Sequence, residues 1–258
     1  MAQTAPKLRI RSTSWIVIPA RLASTRLPRK LLLRETGKTL IQHTFEAAQR
    51  ASRPDGICVA ADHQEIFDEV RAFGGDVEMT DPNAASGTDR VAEVARRMTD
   101  VDILVNLQGD EPELPGSSID LVIQLLQENP DAVMATLATP IRGREQLEDP
   151  ACVKVVFDDH GRAMYFSRSP IPHAREWDDA LLAATPAHFY QHIGLYAYRR
   201  DFLLRLAEMP PSRMEQLERL EQLRVLEAGH AILVGVVDEP TVGIDTPDDY
   251  RAFVERQA

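Results

Sequence analysis

Short β-branched runs alternate with helix-length amphipathic segments through the first half of this chain, and that order leaves few folds open. A strand, a helix and a second strand in succession close into a parallel pair, because the crossover must pack its helix back on the strands it joins. The periodicity predicts strands over 15–19, 57–62, 77–80, 103–108 and 132–138, with helices over 39–51, 64–73, 89–98 and 117–128. Local punctuation agrees: Gly74-Gly75 ends the second helix, Asn129-Pro130 ends the fourth, and Ser86 and Thr88 offer side-chain caps to the third. Beyond Pro150 the pattern changes. Runs 153–157 and 163–166 flank Asp158-Asp159-His160-Gly161, a hairpin signal, while 167–187 has little periodicity and reads as a loop over a site. A strand is expected around 191–196, then a helix over 213–228, a strand over 231–237 and a closing helix over 247–256. The expected fold is α/β: a mixed, mostly parallel sheet with helices on both faces, a flexible tail at 1–14, one domain over 15–258, and a β-rich insert at about 151–200.

Parallel strands deliver ligand sites to the loops at their carboxyl ends, so where charge falls along the chain matters more than its total. The total is −11, which argues against a surface that wraps nucleic acid or anionic lipid. Residues 1–38 nevertheless carry nine basic side chains and one acid, a balance of +8, and the remainder carries −19. Cys58 and Cys152 each sit in an apolar run and read as buried strand thiols, against a disulfide scaffold or a cysteine zinc site. Met1 to Thr13 lacks an apolar leader, and no window approaches the roughly 20 apolar residues of a membrane span. The expected location is cytoplasmic.

The first strand runs into Pro19-Ala20-Arg21-Leu22-Ala23-Ser24-Thr25-Arg26-Leu27-Pro28-Arg29-Lys30. Small residues between cations at a strand exit suit a polyphosphate held by backbone N–H groups and by Arg21, Arg26 and Lys30, although an ordinary solvated basic loop has the same composition. Thr36-Gly37-Lys38-Thr39 ends like a Walker A loop but has Leu32 where the leading glycine belongs, and no Gly-x-Gly-x-x-Gly follows the first strand. His188 and His192 lack the intervening glutamate of a zinc protease, and an extended segment puts them on one strand face. Asp110, in Gln108-Gly109-Asp110-Glu111-Pro112, follows a run that is apolar apart from Asn106; it suits Mg²⁺ held against phosphate oxygens, or a simple turn. Asp245, in Gly243-Ile244-Asp245-Thr246-Pro247, is either a second metal carboxylate or the N-cap of the last helix. Arg168 has the planar fork to clamp a carboxylate, and His192, Tyr196, Glu221 and Gln222 can bind hydroxyls, yet each is equally an ordinary structural polar group. Leu217, Leu220, Leu223 and Leu226 read as one core stripe of a helix.

Together, the 19–30 loop, Ala60-Ala61-Asp62-His63, Ser86-Gly87-Thr88-Asp89-Arg90, and stretches 105–112, 165–168, 191–198, 220–226 and 243–248 resemble the 3-deoxy-manno-octulosonate (KDO) cytidylyltransferases. The likeness extends over 15–256. It implies a nucleotide-diphospho-sugar transferase fold, a homodimer formed through the β-rich insert, and Mg²⁺-dependent transfer of CMP from CTP to KDO, giving CMP-KDO for the inner core of lipopolysaccharide. By the same resemblance Arg21 and Lys30, with Arg26, hold the triphosphate, while Ala20, Ala60, Asp62, Ser86, Gly87 and Thr88 lie at the nucleotide. Asp110 and Asp245 share the metal, and Gln108, Arg168, His192, Tyr196, Glu221 and Gln222 face the sugar acid. Catalytic roles fall on Arg21, Lys30, Asp110 and Asp245. The alternatives are the same transfer to 8-amino-KDO or a sialic acid, and a nucleotide-binding module without catalysis. This chain departs from the family pattern at Asp81 to Ala85, where longer polar side chains are usual, and at Arg29, where glycine is common.

Overall fold

The computed structural model of the chain describes residues 12–238 and 243–257. The alternating first half gives β1 (Ser14–Ala20), α1 (Leu40–Ala48), β2 (Gly56–Ala61), α2 (Gln64–Ala72), β3 (Val77–Met79), α3 (Gly87–Arg97), β4 (Ile103–Asn106), α4 (Gly116–Glu128) and β5 (Met134–Pro140). The second half gives α5 (Arg144–Glu148), β6 (Lys154–Phe157), β7 (Ala163–Ser167), β8 (Tyr190–Arg199), α6 (Arg200–Glu208), α7 (Arg213–Glu218), α8 (Gln222–Glu227), β9 (Ile232–Val236) and α9 (Pro247–Gln257). Among the described residues nine strands form one sheet ordered β3-β2-β1-β4-β8-β5-β9, with β6 and β7 attached beside β8. Strand alternation splits the core into two layers. Ile16 and Ile18 of β1 face α1, α2, α4 and α9 through Phe45, Val70, Ile123 and Phe253, while Val17 faces α3, α6 and α8 through Val94, Phe202 and Leu223.

This order positions the site. β1 to β4 are mutually parallel, β8 runs antiparallel to both β4 and β5, and β5 is parallel to β9. The carboxyl ends of β1, β2, β3, β4 and β9 therefore open on one edge, so residues far apart in sequence, such as those after β4 and after β9, arrive together. The mixed, mostly parallel sheet agrees with the sequence expectation; both cysteines are free and buried, but only Cys58 is a strand thiol, Cys152 lying in the bend before β6. No helix among the described residues is long and apolar enough to cross a membrane.

Three expectations change. The insert expected at about 151–200 includes β8, yet β8 is a central strand of the sheet; the separate piece is the β6–β7 hairpin, which touches β8 through the Lys154↔Gln191 pair. The helix expected over 213–228 is two helices, because Arg219 adopts a left-handed conformation (φ 57) after α7. Leu217 is consequently 77% exposed, whereas Leu220 and Leu223 are buried, so the leucine stripe is not one face. Finally, α6 has no counterpart in the sequence reading, since β8 passes into it at Arg199 with no capping side chain to mark the change.

Candidate active site

Two adjoining cavities open at the carboxyl edge and share Gly87 and Gln108 as a common wall. The first, about 360 Å³, lies under the loop that leaves β1. Its centre is Lys30, whose Nζ donates to Asp110 Oδ2, to Asp245 Oδ1 (3.0 Å) and to the Ile244 carbonyl (3.1 Å). Arg26 Nη2 reaches the same Asp245 oxygen at 2.9 Å. Burial opposes the Lys30 charge, but the two carboxylates outweigh it and hold the ammonium pKa above its ordinary value. Local backbone explains the aim of Lys30. Arg29 sits in the left-handed region (φ 55), and the chain then tightens into a 3₁₀ turn over Lys30–Leu32. That is why glycine suits position 29; here the strained arginine pairs with Glu65.

Asp110 and Asp245 are brought together by backbone. The Ile244 N–H donates to the Asp110 carbonyl at 2.9 Å, and Gly109 lets the turn pass close, since a Cβ there would stand 3.1 Å from the Pro19 carbonyl oxygen. Asp245 is not the cap of α9: Thr246 Oγ1 accepts from Asp249 N–H (3.2 Å), and Asp249 Oδ2 accepts from the N–H groups of Asp245 (3.1 Å) and Thr246 (2.8 Å). The Asp245 side chain is thereby left to the cavity. Two converging carboxylates are hard oxygen donors that suit Mg²⁺, which characteristically takes one or two carboxylates and completes its shell with phosphate and water. Among the described residues no group of three or more His, Cys, Asp or Glu could hold a metal ion.

The other nucleotide candidates divide. Arg21 lines the first cavity and donates from Nη2 to the Ala84 carbonyl at 3.1 Å. Gly87 lines both cavities and Thr88 the second. Ala20 and Ala60 are fully buried, and neither they nor Asp62 or Ser86 line the two cavities. Asp62 instead accepts the Leu22 N–H at 2.9 Å, and Ser86 caps α3 by accepting the Asp89 N–H at 3.1 Å.

The second cavity, about 430 Å³, is floored by β8. Odd-numbered Ile193, Leu195 and Ala197 pack into the core, so His192, Gly194, Tyr196 and Tyr198 line the opposite face. His192 Nε2 lies 3.0 Å from Thr136 Oγ1, whose single proton is directed to the carbonyls of Ile193 and Leu195; the imidazole is therefore the donor and is protonated on Nε2. Burial pushes the His192 pKa down to about 3, so the ring is neutral at physiological pH. Burial likewise raises the Tyr196 phenol, whose O–H donates to Gln222 Oε1 at 3.4 Å. Gln222 is buried, and its Nε2 has no hydrogen-bond partner among the described residues. Glu221 accepts from Thr88 Oγ1 at 2.8 Å, joining the α7–α8 turn to the start of α3.

Of the residues expected at the sugar acid, Gln108, His192, Tyr196, Glu221 and Gln222 line this cavity. Arg168 does not. Its guanidinium donates to the carbonyls of Glu218 (2.7 Å), Pro150 (3.0 Å) and Arg219 (3.5 Å), so it braces the turn that carries Arg219 and Glu221. The histidine pair also separates, since His188 precedes β8 while His192 lies within it. Residues that sequence reasoning did not assign are Asn106, Gln191, Gly194, Tyr198 and Arg219. Asn106 was signalled by polarity inside an apolar strand and Tyr198 by its two-residue spacing from Tyr196; Arg219 had no such signal.

With this geometry in view, the profile of a family described as cytidylyltransferase matches residues 15–232. The chain is similar to the 3-deoxy-manno-octulosonate cytidylyltransferase of Rhodopirellula baltica, 52% identical over 242 residues that cover 93% of this chain and 97% of that protein. It is 44% identical, over 94% of its length and 98% of the relative's, to the 8-amino-3,8-dideoxy-manno-octulosonate cytidylyltransferase of Shewanella woodyi. Among solved structures, that of CMP:2-keto-3-deoxy-manno-octonic acid synthetase complexed with CTP superimposes with a TM-score of 0.87 at 40% identity, covering 96% of this chain and all of the other.

Proposed function

The chain belongs to the cytidylyltransferase family, and from that membership we propose that it activates KDO with CTP, giving CMP-KDO and pyrophosphate. The observation that carries the reading is the shared wall. A cavity of cations and paired carboxylates meets, at Gly87 and Gln108, a cavity whose floor of uncharged hydrogen-bonding groups is joined by Arg219 and Glu221, as a triphosphate and a polyhydroxy acid require.

In the proposed reaction the anomeric 2-hydroxyl oxygen of KDO attacks the α-phosphorus of CTP in line. The new oxygen–phosphorus bond forms as the bond to the bridging β-phosphate oxygen breaks, pyrophosphate departs, and the hydroxyl proton passes to solvent. Arg21 and Lys30, with Arg26 beside them, stabilise the charge that builds on the leaving group. Asp110 and Asp245 would hold Mg²⁺, which when bound neutralises charge on the α-phosphate and acidifies a coordinated hydroxyl. Gln108, Tyr196, Glu221 and Gln222 orient the sugar acid, and His192, held neutral, orients by hydrogen bonding and is not a proton shuttle. For Arg168 to clamp the substrate carboxylate it must release the carbonyls it now holds. The enzyme works in the cytoplasm as a homodimer formed through the β6–β7 hairpin, and its product feeds the lipopolysaccharide inner core.

The test is incubation with CTP, Mg²⁺ and a panel of KDO, 8-amino-KDO and a sialic acid, following pyrophosphate release and product mass. CMP-KDO is expected as the preferred product. Preference for the 8-amino acid, the substrate named for the Shewanella woodyi relative, would redirect the assignment. CTP binding with no pyrophosphate from any acid would replace it with a non-catalytic module.

A further inference from the structure

Arg90 is the largest fully buried side chain of the described residues, and its charge meets no carboxylate in a direct hydrogen bond. It lies in the first turn of α3, just past Gly87 and Thr88. Nη1 donates to Thr80 Oγ1 and to the Asp81 carbonyl (3.1 Å), while Nε and Nη2 have no hydrogen-bond partner among the described residues and Nη2 stands 3.8 Å from Asp62 Oδ2. A sealed guanidinium with donors left over is costly to fold around. Its surroundings show what that cost accomplishes.

Two strand ends meet it directly, and a third is tied in through Asp62. Asp62 follows β2, and its other oxygen accepts the N–H of Leu22 in the loop that leaves β1. Thr80 and Asp81 follow β3, and Thr80 is tied to the end of β2 through the Ala61 carbonyl by both its N–H (2.9 Å) and its hydroxyl (3.0 Å). Above them Arg21, adjacent to Leu22, reaches across to Ala84. Arg90 thus sits where the 81–85 segment meets the front loop that lines the first cavity, without lining that cavity itself, and a planar fork bridges two such partners where a point charge would satisfy one.

We propose that Arg90 is a positioning residue for the nucleotide: paired with Asp62, it sets the separation between the Arg21 end of the front loop and the 81–85 segment, and so governs affinity for CTP without acting on the sugar acid. The proposal rests on the reading of the front loop as the triphosphate site. Arg90→Lys keeps the charge and loses the fork. Titration calorimetry of CTP without sugar acid is expected to give a Kd raised tenfold or more, with KM for CTP raised in parallel and KM for KDO within twofold of the parent. Asp62→Asn should shift CTP affinity the same way, and Arg90→Lys combined with Asp62→Asn should cost little more than Arg90→Lys alone, because the pair acts as a unit. A lower melting temperature with unchanged CTP affinity, or equal increases in both KM values, would reduce Arg90 to a structural role and overturn the proposal. Arg21→Ala and Lys30→Ala separate the two levels: if they leave CTP binding intact, the front-loop reading itself falls. If Arg90→Lys does not fold, Thr80→Val removes one anchor of the fork and is read by the same KM comparison.

Discussion

The two cavities share a wall and oppose each other in chemistry. Around the first, Arg26, Lys30, Asp110 and Asp245 are charged, paired with one another and partly open to solvent, with Arg21 beside them on the Ala84 carbonyl. In the second, His192 and Gln222 are buried and Tyr196 is half-buried, burial holds His192 neutral, and charge enters only with Arg219 and Glu221 from the exposed turn. A triphosphate can be held by charge on long side chains that adjust. A sugar acid is distinguished by where its hydroxyls fall, and that needs a rigid floor whose hydrogen-bond donors and acceptors are already placed. The charged side should therefore fail when charge is altered at constant shape, and the neutral side when a hydrogen-bonding group is replaced by an apolar one.

The sharpest way to break this contrast is Asp110→Asn, which preserves shape and removes one carboxylate from the Lys30 centre. Turnover measured by pyrophosphate release is expected to fall about a thousandfold, the scale of losing a transition-state charge contact, and saturating Mg²⁺ should not restore it. Near-parental activity would remove Asp110 from the metal pair. On the neutral side, Gln222→Leu keeps volume and removes the amide that receives the Tyr196 hydroxyl. Here KM for the sugar acid should rise about tenfold to a hundredfold, consistent with roughly 1.5–3 kcal/mol for a hydrogen bond to a charged ligand, while calorimetric CTP affinity stays put. Equal losses for both substrates would dissolve the distinction between the cavities.

Sequence legibility follows the same divide. The charged side was readable because its signals are local: cations clustered at the exit of β1, and a Gly109-Asp110 step after β4. Only the meeting of Asp110 with Asp245 needed the fold, since it depends on β4 and β9 running parallel across the intervening β8 and β5. The neutral side is assembled from one face of β8 and a turn between two short helices. Its strand half follows a period of two and includes Tyr198 by rule, but Arg219 enters only because a left-handed residue splits what reads as a continuous helix. Arg168 lies outside both cavities for a related reason. A fork that fits a carboxylate also fits backbone carbonyls, and which of them lie within reach is not written in local sequence.

Acidification tests the neutral side through stability. An unfolded chain protonates His192 near the ordinary pKa of about 6.5, whereas the folded chain resists until about 3. Between those values the unfolded state binds more protons, so stability falls as pH falls, by about 2 kcal/mol from this ring at pH 5. Urea unfolding at pH 7 and pH 5 should show the loss, and His192→Asn should remove most of the slope. The remainder would come from groups such as His43, whose pKa burial also lowers. A variant with the parental slope would mean that His192 is not buried neutral.

The smallest expected effect concerns a feature the cavities have in common. Each is entered by an arginine in the left-handed region: Arg29 immediately before Lys30, and Arg219 just ahead of Leu220 and Glu221. They are the only non-glycine residues with positive φ among the described residues. A side chain there costs conformational energy that glycine avoids, and the exposed Arg29–Glu65 pair returns little. Arg29→Gly should therefore raise the melting temperature by about 2 °C and leave KM for both substrates within twofold. Arg219→Gly should gain less, because Arg219 lines the second cavity, and any rise in KM should be confined to the sugar acid. A rise in KM for CTP on Arg29→Gly would show that the arginine side chain, and not merely the backbone turn it occupies, serves the charged cavity.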